Sequence, residues 1–328
     1  MPQQFLKWGL LSTAKSNRAL ILPLRASKRN RLVAVASRTA AQAEAYASEW
    51  NIPRAFGSYE AMLADPEIDV IYNPLPNHLH AEWTIKALQR GKHVLCEKPL
   101  ALSVADVDAI ISAAKNTGKV VAEAFMYRHH PQTLKVKEIA DSGALGQLRL
   151  IRGAFTYTLT RTDNYRNDPK MGGGSIWDVG CYPISYARMI VAAEPKEVVG
   201  WQVTGLRGID EAFYGQMRFP GDIYAQFDCS FISPFRAYIE IVGSDATLRV
   251  PVPFTPGKNE KLYLTRDGNT DTIRVRGQEL YIGEVEDIAD AVMLGNPPRV
   301  SLADSRANIA TVVALLESAR RNKNISLD

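Results

Sequence analysis

The feature that most constrains the fold is the alternation of short apolar runs with helix-forming segments in the first third of the chain. The apolar runs are "LKWGLL", "RLVAVAS", "PRAFGS", "DVIYNPLP", "KHVLCEKP" and "KVVAEAF". Segments with helical patterns separate each run from the next. Strands that alternate with helices at this spacing form parallel units, so we predict a doubly wound parallel sheet with helices on both faces.

The predicted helices of this region end at ordinary stop signals. Gly91 and Gly118 each follow a helical pattern directly, and Pro23 interrupts or kinks the first helix. We place the helices at Ser16–Ala26, Thr39–Trp50, Tyr59–Leu63, His78–Arg90 and Ser103–Thr117.

Beyond about Phe125 the pattern changes and predicts an antiparallel-rich sheet. A helix at Thr133–Ser142 precedes "QLRLIRGAFTYTL", whose alternation is typical of a strand with one buried face. Further strands are predicted at "EVVGWQVTG", "FYGQMRF", "IYAQFDCSF", "AYIEIVGS" and "ATLRVPV", and two helices close the chain. We therefore predict an α/β chain of two domains, 1–125 and 126–328, whose terminal helix can pack back on the first domain.

Composition and charge argue against several classes of protein. The chain has 46% hydrophobic and 23% charged residues, as globular proteins do, and no apolar run is as long as a membrane span. The first residues lack a signal-peptide pattern, and the scattered Cys96, Cys181 and Cys229 indicate reduced thiols, so we expect a cytoplasmic protein. The net charge of +4 comes without a nucleic-acid motif, so we expect neither a nucleic-acid nor a membrane partner.

The first predicted strand leads into a loop that occupies the place of a phosphate-binding loop without its glycines. A dinucleotide loop needs a tight turn, a close backbone and a helix N-terminus, which small side chains also permit. A serine and a threonine before a helix are also an ordinary N-cap, so the loop alone leaves both readings open. The predicted cofactor contacts here are Gly9, Ser12, Thr13, Ala14 and Lys15.

The end of the second strand favours NADP over NAD. An acid at this place binds the ribose 2′-hydroxyl, whereas a basic residue accommodates a 2′-phosphate. The strand ends in Ser37 and Arg38 with no acid, so Arg38 is predicted to bind the 2′-phosphate or to stack on adenine. The alternative is an arginine that faces solvent.

Glu97, Lys98 and Pro99 end the fifth strand, where ligands of such sheets bind. Lys98 is therefore a candidate to meet a nicotinamide or a substrate hydroxyl. The alternative is an exposed lysine before a proline that starts a helix.

The segment "GGGSIWDVGCYPI" places Asp178 and Tyr182 four residues apart on one helix face, behind a predicted N-cap at Ser175. A hydroxyl and an acid beside a lysine can transfer a proton during carbinol oxidation. The alternatives are a capping box between Ser175 and Asp178, and a core role for Tyr182.

These motifs, together with "LPNHLHAEWTIKAL" and "EAFMYRHHP", resemble the glucose–fructose oxidoreductase / inositol dehydrogenase / MocA (Gfo/Idh/MocA) family over roughly the whole chain. The likeness is greatest to the branch that contains dimeric dihydrodiol dehydrogenase and NADP-dependent xylose dehydrogenase. The resemblance implies a Rossmann domain followed by a substrate-binding domain. The open, predominantly antiparallel sheet of the second domain would form the interface of a homodimer or homotetramer.

The resemblance also assigns roles to residues. Lys98 would contact the nicotinamide ribose and the substrate, Tyr182 would be the acid/base, and Asp178 would orient substrate or the tyrosine. The positive charge of Lys98 would lower the ordinarily high pKa of Tyr182. The remaining cofactor contacts would be Pro76, Asn77, His80 and Glu97, and the substrate contacts would be Tyr127, Arg128, Arg166 and Trp177.

The resulting expectation is hydride transfer between C4 of NADP (or NAD) and a carbinol carbon of a sugar-like small molecule, such as aldose C1 oxidation to a lactone. Reduction of a keto-sugar or dicarbonyl, a non-catalytic NADP sensor or partner-binding protein, and NAD-dependent glycoside cleavage are the alternatives. No metal is expected, because the histidine pairs His78/His80 and His129/His130 lie in different predicted loops.

Overall fold

The structure is a computed structural model that describes residues 5–327. The chain folds into two compact units, each built from two segments. The first unit comprises the chain up to His129 together with Glu279–Arg306. The second comprises His130–Gln278 and the chain from Ala307 onward.

The strands and helices are numbered in chain order. The strands are β1 (Leu6–Leu11), β2 (Asn30–Ala36), β3 (Arg54–Phe56), β4 (Val70–Asn73), β5 (His93–Glu97), β6 (Val121–Ala124), β7 (Leu148–Thr158), β8 (Glu197–Thr204), β9 (Asp210–Phe219), β10 (Ile223–Ser230), β11 (Ile232–Gly243), β12 (Thr247–Val250), β13 (Asn259–Arg266), β14 (Asn269–Arg276) and β15 (Ile325–Ser326). The helices are α1 (Asn17–Ala26), α2 (Ala40–Glu49), α3 (Tyr59–Ala64), α4 (His80–Gln89), α5 (Val104–Thr117), α6 (Pro131–Asp141), α7 (Cys181–Val191), α8 (Ile282–Leu294) and α9 (Leu302–Arg321).

The sheet of the first unit has six parallel strands in the order β3-β2-β1-β4-β5-β6, which confirms the predicted doubly wound fold. Its helices begin and end at the residue types that favour such ends. Thr39, Ser58 and Ser103 each accept a hydrogen bond from a first-turn backbone N–H. Gly118 closes α5 at a φ of 65°, a conformation that costs glycine little.

The core of the first unit includes side chains from a distant part of the chain. Trp8 of β1 and Tyr72 of β4 belong to the same buried cluster as Val285 and Ile288 of α8. Full burial of each aliphatic side chain contributes about 1.5–3 kcal/mol, which holds α8 in place. At the surface, Arg29 forms ion pairs with two acids of α8. The sequence-based boundary assigns the segment that contains α8 to the second domain. In the structure, this segment groups with the first unit.

The second unit contains a nine-stranded sheet in the order β14-β13-β12-β11-β7-β10-β9-β8-β15. Its pairs are antiparallel except for β10 with β7, as the prediction of a mostly antiparallel sheet requires. Helix α7 packs on β7, where Gly153 gives room to Pro183. The strands β13, β14 and β15 were not predicted. Most residues of β14 are at least partly exposed, so its sequence lacks the apolar alternation of a buried face.

Within residues 5–327, no helix combines the length and the apolar character that crossing a membrane requires.

Candidate functional site

The loop after β1 closes as a tight turn in which a serine takes a glycine-like conformation. Ser12 has a φ of 119°. Its carbonyl accepts a hydrogen bond from the Asn17 side-chain amide at 2.7 Å, and its hydroxyl accepts one from the Ala14 N–H at 3.3 Å. A non-glycine residue in this region costs about 1–3 kcal/mol, and such strain clusters at ligand-binding sites. Ser12 therefore adopts a positive φ that glycine adopts more readily.

The alternative of an ordinary N-cap at this loop is wrong. Helix α1 has Ser16 at its N-cap position, and that side chain makes no cap hydrogen bond. Lys15 is exposed, and Thr13 is half-buried.

Gly9, the other predicted contact of this loop, lies within β1. A Cβ at this position would come within 2.9 Å of the Met62 sulfur, so the glycine is explained by packing against α3.

The end of β2 leaves one of its two predicted contacts exposed. Ser37 is buried, and its hydroxyl hydrogen-bonds to the Gln42 side chain at 3.0 Å. Arg38 is exposed at the carboxyl end of the strand, just before Thr39 caps α2. Its exposure fits both the predicted 2′-phosphate contact and the alternative of an arginine that faces solvent.

The motif at the end of β5 is hydrogen-bonded to the neighbouring strand β4. The Tyr72 hydroxyl donates to Glu97 Oε1 at 2.6 Å. The other oxygen of Glu97 accepts a bond from the Lys98 N–H at 3.2 Å. Lys98 is half-buried, and its peptide bond to Pro99 is cis.

Two side chains at the start of α8, Tyr281 and Glu284, interact electrostatically with Glu97 and were not predicted from the sequence. Glu284 is 2% exposed, and burial together with the charge of Glu97 raises its pKa well above the ordinary value. Burial and the carboxylates of Glu97 and Glu284 likewise raise the pKa of Tyr281. No local signal marks these two residues, because only folding brings α8 next to a strand that ends almost two hundred residues earlier.

His80 holds two loops together inside the first unit. Its Nδ1 lies 2.7 Å from the Pro99 carbonyl oxygen and its Nε2 lies 2.6 Å from that of Leu75. Both ring nitrogens thus face backbone carbonyl oxygens. Burial lowers the pKa of His80 to about 4, although the hydrogen bonds to these two carbonyls oppose the shift. The neighbouring Asn77 is also buried, whereas Pro76 is half-buried at the start of a short 3₁₀ turn.

Two of the predicted substrate contacts lie in the first unit. Tyr127 is fully buried and packs edge-on against Phe125, with ring centroids 5.9 Å apart. Arg128 Nη1 donates to Asp304 Oδ2 at 2.9 Å, and the Arg128 side chain is 10% exposed. Its guanidinium is therefore held by an acid of the same unit.

In the second unit, the structure brings Arg166 and Asp178 together, and adds Tyr157. The Tyr157 hydroxyl donates to Asp178 Oδ2 at 2.8 Å. Arg166 Nε lies 2.8 Å from the same oxygen, in an ion-pair contact that is not well directed for a hydrogen bond. Burial lowers the pKa of Arg166, but the Asp178 carboxylate together with Tyr165 and Tyr157 raises it above its ordinary value. Tyr157 was not predicted, since it lies on a strand twenty-one positions earlier.

The helix that carries Asp178 and Tyr182 begins with a π-helical turn at Ile176–Gly180, ahead of α7. Pro183 lacks the N–H that would bond to a preceding carbonyl in a regular α-helix, which favours a wider turn here. Both side chains are buried, at 6% and 5% exposure. The spacing thus predicted one continuous helix correctly, but not its local widening. Such π turns often occur at functional sites.

The capping-box alternative for Asp178 is wrong. The Ser175 hydroxyl donates to Asp210 Oδ2 at 2.7 Å, and the Ser175 side chain does not cap this helix. The Asp178 carboxylate is bound to Tyr157 instead. The acid that binds the start of the helix is Asp210, which lies on β9.

Tyr182 lies in a cluster of aromatic rings on the helix side of the sheet. Its ring centroid is 5.4 Å from that of Phe155 and 5.5 Å from that of Phe254. Trp177, one residue before Asp178, is 8% exposed. The predicted proton-transfer residues of the second unit are therefore enclosed by apolar rings and by one ion pair.

Across the described residues 5–327, no three His, Cys, Asp or Glu side chains form a group that could hold a metal ion.

Comparison with known proteins supports the predicted family over both parts of the chain. Residues 6–125 match the Gfo/Idh/MocA "oxidoreductase family, NAD-binding Rossmann fold", and residues 133–249 match a Gfo/Idh/MocA C-terminal domain. D-xylose 1-dehydrogenase (NADP(+)) 2 of Haloferax volcanii is 36% identical over 324 residues, which cover 98% of this chain and 99% of that protein. Trans-1,2-dihydrobenzene-1,2-diol dehydrogenase of Xenopus laevis is 30% identical, covering 94% of this chain and 96% of that protein.

Solved structures agree with these relatives. A 3-ketoreductase from Actinomadura kijaniata, in complex with NADP and TDP-benzene, superposes with a TM-score of 0.91 at 26% identity, covering 96% of this chain and 98% of that one. The resemblance drawn from the motifs is thereby confirmed: the chain belongs to the Gfo/Idh/MocA family of oxidoreductases, whose N-terminal domain is an NAD-binding Rossmann fold.

Proposed function

We propose that the protein is an NADP-dependent dehydrogenase that oxidises a carbinol carbon of a sugar or related polyol, with aldose C1 oxidation to a lactone as the favoured reaction. The observation that carries the proposal is the Asp178 cluster. A buried carboxylate held by Tyr157 and Arg166 stands one turn before Tyr182 on the same helix. A buried hydroxyl and an anchored acid at this spacing are suited to proton transfer.

Two features of the first unit fit a nicotinamide dinucleotide. Ser12 holds the glycine-like turn that lets a loop approach a pyrophosphate, and small residues follow it. Arg38 is exposed where a 2′-phosphate would lie, which supports NADP as the preferred form. Bound NADP+ supplies a hydride acceptor. Lys98 is proposed to bind the cofactor ribose and the substrate hydroxyl.

In the proposed reaction, Tyr182 accepts the proton of the substrate hydroxyl during oxidation and returns it during reduction. Asp178 is proposed to orient the substrate or the tyrosine, since Arg166 compensates its charge and Tyr157 donates to one of its oxygens. Trp177 is proposed to shape the substrate side of the site.

The same residues can run the reaction in reverse, as a reductase of keto-sugars or dicarbonyls. The solved 3-ketoreductase, with a TM-score of 0.91, favours testing this direction as well. A reductase would use Tyr182 as the proton donor.

The test mixes the protein with NADP+ or NAD+ across a panel of aldoses, inositols and diols, and with NADPH across keto-sugars and dicarbonyls. The absorbance of the reduced nicotinamide reports turnover. We expect oxidation of at least one aldose or polyol, with NADP+ preferred over NAD+. Tight NADPH binding without turnover of any compound would overturn the proposal in favour of a sensor. Release of an aglycone from a chromogenic glycoside would indicate glycoside cleavage instead.

A further inference from the structure

A buried acid of β9 holds the start of the helical segment that carries Asp178 and Tyr182. Asp210 is 5% exposed, and its Oδ2 accepts hydrogen bonds from the Ser175 hydroxyl and from the Ile176 N–H, both at 2.7 Å. Backbone N–H groups at a helix start have no partner within the helix, so an acid from another element completes this end.

The Asp210 carboxylate lies close to the backbone that precedes the π turn. Gly174 has a φ of 120°, and a Cβ at this position would lie 2.1 Å from Asp210 Oδ1. At the other end of the π turn, a Cβ on Gly180 would lie 2.8 Å from the Cys229 sulfur. The π-helical turn thus packs closely against β9 and β10. We therefore expect a substitution or protonation at Asp210 to shift the side chains that the turn carries.

The groups that face Asp210 are hydrogen-bond donors and uncharged side chains. From the helix side these are the donors of Ser175 and Ile176, and from β10 it is the Cys229 thiol, whose sulfur lies 3.4 Å from the Ser175 hydroxyl. On β8, the residue paired with Asp210 is the uncharged Thr204. Burial raises the pKa of Asp210 to about 6 despite the hydrogen bonds that oppose the shift.

We propose that Asp210 is a positioning residue for hydride transfer, because it fixes the π-helical turn from which Asp178 projects and after which Tyr182 follows. The inference rests on the proposed function for its kinetic consequences. The ionised carboxylate holds the Ser175 hydroxyl and the Ile176 N–H. Its protonation weakens both bonds and loosens the turn, whereas Tyr182 and Asp178 remain chemically unchanged.

The kinetic test compares Asp210→Asn and Asp210→Ala with Glu211→Gln, a neighbour on the same strand whose side chain does not bond to the helix. In the wild type, kcat is expected to fall as the pH falls through about 6. In Asp210→Ala, kcat is expected to fall roughly ten- to a hundredfold at mildly alkaline pH, as misplaced catalytic groups do, with a smaller change in KM. Asp210→Asn should lose the acid limb, and Glu211→Gln should keep it. Wild-type kcat and an unchanged acid limb in both Asp210 variants would overturn the proposal.

A structural readout separates this proposal from the proposed function. Hydrogen exchange over residues 174–182 is expected to be faster in Asp210→Asn than in Glu211→Gln at the same pH. Ser175→Ala removes one donor to Asp210, so its exchange should be intermediate between those of wild type and Asp210→Asn. This variant provides the test if Asp210→Ala does not fold. If the wild type turns over no compound, the proposed function fails and exchange alone decides the role of Asp210. Equal exchange in wild type, Asp210→Asn and Ser175→Ala would then disprove it.

Discussion

At the scale of single residues, the proposed chemistry depends on a few side chains whose partners lie far away in the sequence. Asp178 is held by Tyr157 and Arg166, and Glu97 is held by Tyr72. The sequence identified Asp178 and Arg166 in the first set and Glu97 in the second. The strand residues Tyr157 and Tyr72 occur in ordinary alternating or apolar runs that do not distinguish a functional tyrosine from a core one.

Replacing Tyr182 by Phe removes the hydroxyl that is proposed to transfer the proton. We expect kcat to fall about 10²- to 10⁴-fold, while the affinity for NADPH changes little, since general acid–base catalysis contributes about this much. Steady-state kinetics and NADPH fluorescence titration measure the two quantities. Tyr186→Phe, one turn later on α7, is the matched control and should keep wild-type kcat. If Tyr182→Phe retains turnover, the tyrosine is not the base and Lys98 becomes the candidate.

Replacing Arg38 by Ala tests the choice of cofactor. A charged hydrogen bond contributes about 1.5–3 kcal/mol, so we expect NADPH affinity to fall roughly 10- to 150-fold, with NADH affinity unchanged. Fluorescence titrations with both cofactors measure this difference. Arg31→Ala, at the other end of β2 and also exposed, is the control. An unaltered preference for NADPH in Arg38→Ala would disprove the 2′-phosphate role.

At the scale of elements, local signals predicted the ends of helices better than the conformation of the loops between them. Gly91 and Gly118, which follow α4 and α5, were identified from residue type alone. The glycine-like φ of Ser12 and the π turn at Ile176–Gly180 were not, because contacts with other elements stabilise both conformations against the local preference.

Strain at Ser12 predicts an unusual response to glycine. Ser12→Gly removes about 1–3 kcal/mol of backbone strain and adds back about 1 kcal/mol of unfolded-state entropy, so stability should be equal to or above that of the wild type. Ser16→Gly is the control, because Ser16 has an ordinary helical φ of −60° and gains nothing from glycine. Urea unfolding measures both variants. Equal losses of stability in the two would show that Ser12 is not strained.

At the scale of the whole molecule, each compact unit is assembled from two separate segments of chain. The segment with α8 joins the core of the first unit, where it buries Glu284 beside the charge of Glu97. Because the pKa of Glu284 is raised, burial of its carboxyl group costs more free energy as the pH rises. Most of the second unit's sheet was predicted, but not the exposed hairpin of β13 and β14.

Glu284 gives the stability of the protein a defined pH dependence. Its folded-state pKa is raised above the unfolded value, so the folded state binds the proton more tightly and stability falls as the pH rises above about 4.5. Glu284→Gln removes the titration. The free energy of unfolding of Glu284→Gln, relative to that of wild type, should grow by up to about 1.4 kcal/mol per pH unit until the pH passes the raised pKa. Urea unfolding at several pH values measures this, with the exposed Glu60→Gln as control. An advantage independent of pH would contradict the assignment.

The sequence by itself determined the doubly wound sheet, the mostly antiparallel second sheet, the family and the motifs around Lys98 and Asp178. These are encoded by the periodicity of apolar residues and by local turn and cap chemistry, which act over a few neighbouring positions. Only the tertiary structure decided that Asp178 is bound by Tyr157 rather than by a capping box, and that Asp210 holds its helix. Which partner binds each of these groups depends on which distant strand lies beside the helix. A buried polar group pairs with the partner it finds there, because leaving it unpaired costs free energy.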